Sequence, residues 1–93
     1  MNLYRFNLSW GRMGDLDGLF IATEEEVASV MGQEVYFGEV LGKHSEVYDT
    51  MTEDHITLLV VSSTTAADML HVCGNTISGY NPVAIWQEQQ EYV

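Results

Sequence analysis

Apolar and polar side chains alternate with period two at the start of the chain: Tyr4, Phe6, Leu8 and Trp10 stand against Leu3, Arg5, Asn7 and Ser9. That period predicts a half-buried strand. The stretch from Gly11 to Gly18 holds three glycines and two aspartates, a composition suited to a hairpin loop, and Leu19-Phe20-Ile21-Ala22 then returns as a second strand. The period changes at Thr23-Glu24-Glu25-Glu26, where Thr23 and Glu26 have the spacing of a capping box. Val27, Val30 and Met31 follow at helical spacing, and Gly32 is placed to end the helix.

Val35 to Leu41 is rich in β-forming residues, Gly42-Lys43-His44-Ser45 interrupts it, and Glu46 to Asp49 resumes, which predicts a second hairpin. Ile56 to Val61 is the most apolar run and is expected to be the central strand around which the core is built. Ser62 to Thr65 supplies caps for a second helix from Ala66 to about Cys73. Ala66, Met69, Leu70 and Cys73 share one of its faces, and Gly74 stops it.

Beyond Gly74 two patterns compete. Asn81-Pro82 reads as a helix cap and first helical position, whereas Tyr80, Val83 and Ile85 alternate as in a strand; the second pattern, fraying into a polar tail, is the expectation taken forward. The elements together predict one α+β domain over residues 1–93. Its sheet should be small, mixed or mainly antiparallel, with four to five strands and two short helices.

Composition then narrows the function classes. The chain carries fourteen Asp and Glu against three Lys and Arg, a net charge of −11. Such a domain repels nucleic acid and anionic lipid and is drawn toward basic protein surfaces. An apolar content of 46% is too high for a disordered acidic tail, and no apolar run is long enough to span a bilayer. Cys73 is the only cysteine and the first residues lack a secretory pattern, so a reducing, cytoplasmic setting is expected.

No catalytic, metal or cofactor motif emerges. On a helix His71 and Cys73 diverge by roughly 200°, which is unsuited to a shared metal. Asp15-Leu16-Asp17-Gly18 lacks the remaining ligands of a calcium loop. The adjacent pair His44 and Ser45 sits in no nucleophile-elbow sequence. A non-enzymatic binding or inhibitor protein is therefore expected, with no cofactor.

Two sets of residues can carry the binding. Eleven of the fourteen carboxylates lie between Asp15 and Asp54. Asp15, Asp17, Glu24, Glu25, Asp49, Glu53 and Asp54 are the candidates for imitating a phosphate array and occupying a basic, nucleic-acid-binding protein surface. Two of the three cations, Arg12 and Lys43, lie in glycine-flanked loops. With Gly14, His44 and Ser45 they could form a pocket for a small anionic ligand such as a nucleotide signal, if the two hairpin ends meet.

Trp10, Tyr36, Tyr48, Tyr80 and Trp86 could stack a base or anchor a partner, but in a core this small they are expected to be mainly packing residues. Exposed sheet edges allow a third role, as a self-associating assembly subunit. In size, acidity and lack of a catalytic signature the chain is similar to small phage-encoded or mobile-element proteins that interfere with host defence. That is a resemblance of type, with no motif behind it.

Overall fold

A computed structural model describes residues 1–41 and 46–91. The chain forms β1 (Asn2–Ser9), a 3-10 turn (Gly11–Met13), β2 (Asp15–Ala22), α1 (Glu24–Val30), β3 (Glu34–Gly38), β4 (Val47–Thr50), β5 (Ile56–Leu59), α2 (Ser63–Cys73), β6 (Thr76–Gly79) and α3 (Pro82–Glu91). Four strands make an antiparallel sheet in the order β5-β1-β2-β6, and β3 and β4 pair separately. The α+β class and the antiparallel pairing agree with the sequence reading. The third helix and the division into two sheets are additions to it.

The alternation in β1 acts as expected. Tyr4, Phe6 and Leu8 face the main core together with Leu16, Phe20 and Ala22 of β2, and α1, β3, β4 and α3 close over them with Val30, Val35, Val47 and Val83. The opposite face divides. Leu3 and Ile21 are covered by Ala66, Met69 and Leu70 of α2, while Arg5, Asn7, Asp15 and Asp17 remain exposed. Cys73 lies outside the buried face of α2 and is exposed, because the helix is in its last turn there and Gly74 leaves it at φ 79°.

Three expectations are corrected. The first loop is shorter than Gly11 to Gly18: β2 starts at Asp15 and pairs with β1 over eight residues from Ser9↔Asp15 to Asn2↔Ala22. Leu16 explains the difference, since it is buried in step with Leu8 and thereby extends the pleat past the two aspartates, which point outward.

The apolar run Ile56 to Val61 is not the central strand. Its regular part, Ile56–Leu59, sits at the sheet edge, and β1 and β2 hold the centre. Its apolar residues are only partly covered there, with Leu58 54% and Val60 96% exposed.

After Gly74 the chain forms the short strand β6 and then a helix, in place of a strand through Val83 and Ile85. The cap prevails over the alternation. Asn81 is buried, its Oδ1 accepts from the Ala84 amide at 3.1 Å, and its amide donates to the Asn75 carbonyl at 3.4 Å and to Thr76 Oγ1 at 3.2 Å. Pro82 begins the helix, where its missing N–H costs nothing.

Gly18 makes this turn feasible. A Cβ there would fall on the Tyr80 carbonyl oxygen, and the Tyr80 amide donates to the Asp17 carbonyl at 3.0 Å. Only a residue without a side chain lets the two backbones approach so closely.

Candidate functional site

The seven carboxylates singled out from the sequence occupy four locations. Asp15 and Asp17 project from the open face of the four-stranded sheet. Glu24 and Glu25 lie in the first turn of α1, beyond the other end of β2 and roughly 24 Å along the strand from Asp15. Asp49 is half-buried in β4, with Oδ1 accepting from the Thr50 amide at 2.8 Å, and Glu53 and Asp54 are exposed between β4 and β5.

Glu26 completes the capping box. Thr23 Oγ1 accepts from the Glu26 amide at 3.1 Å, and Glu26 Oε1 accepts from the Thr23 amide at 3.0 Å. That backbone hydrogen bond is the main reason the Glu26 carboxyl is held below its ordinary pKa, and a bond from Gln87 of α3 contributes further. Its role is therefore structural.

The cationic candidates divide at the boundary of the described residues. Arg12 is exposed on the 3-10 turn that joins β1 and β2. Lys43, His44 and Ser45 lie outside the described residues. Among the described residues the flanks of the two hairpins touch: Gly14 lies against Leu41, whose Cδ2 would be 3.5 Å from a Cβ at position 14, and Trp10 approaches Tyr48 with ring centroids 6.4 Å apart. Arg5, the third cation, instead borders a shallow concavity of about 370 Å³ on the open sheet face, beside Asp17, Gly18, Leu19 and Ser78.

The feature that sequence reasoning underrated is aromatic. Tyr36 and Tyr48 are cross-strand neighbours on the outer face of the β3–β4 hairpin, stacked at 6.5 Å with an interplanar angle of 15°. Both remain exposed, at 45% and 46%, and are the two exceptions to the expectation that most of the five aromatics pack. Val35, Phe37 and Val47 take the inner positions of the same strands, and the alternation leaves the tyrosines outside. Tyr80 and Trp86, in contrast, pack against the core as expected.

Carboxylates surround this face. The Glu46 carboxylate beside the Tyr36 hydroxyl pushes its pKa up, and desolvation and the negative charges of Glu46 and Glu39 add to the effect. On the other side Tyr36 borders a second concavity of about 290 Å³ with Ile85, Glu88 and Gln89.

Gln89 fixes that border. Its Oε1 accepts from the Tyr36 amide at 3.0 Å and its Nε2 donates to the Glu34 carbonyl at 3.2 Å, so one α3 side chain satisfies the edge of β3. In sequence the signal was present as tyrosines at outward positions of two predicted strands; their pairing required the register.

Two stacked aromatic faces beside carboxylates suit a planar cation, above all a guanidinium, which gains both from the ring quadrupole and from charge-assisted hydrogen bonds. No protein-family model matches the chain, and comparison with curated proteins and with solved structures found no match either.

Proposed function

We propose that the protein is a non-enzymatic binding protein that takes up an arginine-bearing, basic segment of another protein on the Tyr36–Tyr48 face. Occupying a basic, nucleic-acid-binding surface in this way would make it an inhibitor of the partner. The observation that carries the reading is the exposed Tyr36–Tyr48 stack with the Glu46 carboxylate at its rim, in a chain of net charge −11. The overall charge speeds encounter and selects against anionic competitors, while the aromatic face supplies the local contact.

The test is a titration with an arginine-rich peptide and a lysine-rich peptide of equal charge. The arginine peptide should bind more tightly, added salt should weaken both, and Tyr36→Ala/Tyr48→Ala should weaken the arginine peptide by about tenfold, the loss expected for one desolvated cation–π contact. Equal affinity of the double variant and the unchanged protein would overturn the proposal.

The contact between Gly14 and Leu41 favours a second reading, in which a small anionic ligand such as a nucleotide binds beside the touching flanks of the two hairpins. Arg12 would hold the anion and Trp10 or Tyr48 would stack on the base. Thermal stabilisation by millimolar nucleotide that disappears in an Arg12→Ala/Lys43→Ala variant would establish it; no stabilisation by any nucleotide would remove it.

A further inference from the structure

Edge strands in soluble proteins are usually protected, and two edges here are. The β3 edge is satisfied by Gln89, and β6 pairs with β2 through an irregular register that shifts between Leu19 and Phe20. The β5 edge differs. It ends the four-stranded sheet, and among the described residues no strand pairs with its outer side. The run Ile56 to Val61 contains no proline, glycine or charged side chain, yet Leu58 is 54%, Val60 96% and Val61 38% exposed.

We propose that two copies of the chain associate through this edge, joining their four-stranded sheets into one antiparallel sheet of eight strands. Charge selects the occupant. From Ile56 to Ala67 there is no Asp, Glu, Lys or Arg, so a basic partner has no carboxylate to pair with there. Two molecules of net charge −11 repel each other least where both surfaces are neutral.

The pleat selects the register. Leu58 stands opposite Tyr4, and Ile56 opposite Phe6, on the main-core face of the sheet. Opposed residues of an antiparallel pair share a face, so a two-fold axis normal to the sheet must pass through a residue position and not between two. Centring on Leu58 places it against its own copy and puts the exposed Val60 beside Ile56 of the other molecule.

Sedimentation equilibrium over about 10 µM to 1 mM tests this, because a short edge interface is at the weak end of the affinity scale. The dimer fraction should grow with concentration and with added salt, which screens the like charges. Leu58→Lys and Val60→Lys should each abolish it; position 60 is so exposed that the second variant keeps the fold. Leu58→Cys in a Cys73→Ser background should form a cross-linked dimer with a short bifunctional thiol reagent, since opposed Cβ atoms lie about 5 Å apart.

A chain that stays monomeric at 1 mM in high salt, or a dimer that persists in both lysine variants, would overturn the proposal. The salt response also keeps this test apart from partner binding, because salt strengthens self-association and weakens capture of a basic peptide, and Tyr36→Ala/Tyr48→Ala should leave the dimer intact.

Discussion

The two hairpins start from similar alternating sequences and end in different roles. The β1–β2 hairpin pairs over eight residues without interruption, lies at the centre of its sheet and buries Phe6 and Phe20 completely. The β3–β4 hairpin pairs over four positions with a shift between Tyr36 and Gly38, stands apart from the larger sheet and leaves two tyrosines exposed. Aromatic residues alternating in a strand do not by themselves say whether the second face is covered. That depends on which elements come to lie over it, and among the described residues α2 alone packs on the outer side of the main sheet.

The largest effect that separates the hairpins should come from Phe20→Ala, which removes a fully buried ring and its stack on Tyr4 at 5.5 Å. A loss of about 3–5 kcal/mol is expected in urea unfolding. Tyr36→Ala should cost under about 1 kcal/mol in the same assay while impairing arginine-peptide binding. Comparable destabilisation by the two variants would break the distinction between a packing hairpin and a presenting one.

A smaller effect is expected at the joint that holds the presenting hairpin. Gln89→Ala removes two hydrogen bonds to β3 and should cost about 1–2 kcal/mol, accompanied by faster hydrogen exchange at the Tyr36 amide. If that amide keeps its protection, α3 does not secure the hairpin through this side chain.

The smallest effect concerns acid. The native Glu26 carboxyl lies below its ordinary value of 4.5, chiefly through the Thr23 backbone hydrogen bond. Its contribution is therefore complete above the unfolded-state pKa and is lost as pH falls through the lowered native value. Glu26→Gln should flatten the fall in stability between about pH 5 and pH 3, by less than about 1 kcal/mol at so solvated a site. An unchanged acid slope would mean that the capping box adds no pH dependence.

Where the signal was local, the sequence could be read directly. Thr23 with Glu26 caps α1 as spacing implied, and Ser62 caps α2 from the Ser/Thr run, so that helix starts at Ser63, three residues before the expected Ala66; these hydrogen bonds join residues three apart. The same holds for the period of β1. Asn81-Pro82 is an equally local signal, and its cap prevails over the alternation through Val83 and Ile85.

The site was legible only in pieces. Tyr36 and Tyr48 are twelve positions apart, and their stacking follows from a cross-strand register that nothing near either residue specifies. Gln89 reaches β3 across more than fifty residues.

By itself the sequence determined the α+β class, the helix caps and the excess of negative charge, since each follows from residue type or from spacings within a helical turn or a strand. Only the tertiary structure decided that Ile56 to Val61 would lie at an edge, that the seven candidate carboxylates would be shared among four locations, and that two tyrosines would stack in the open. Those outcomes depend on which elements become neighbours, and competition among all the apolar faces for one small core settles that.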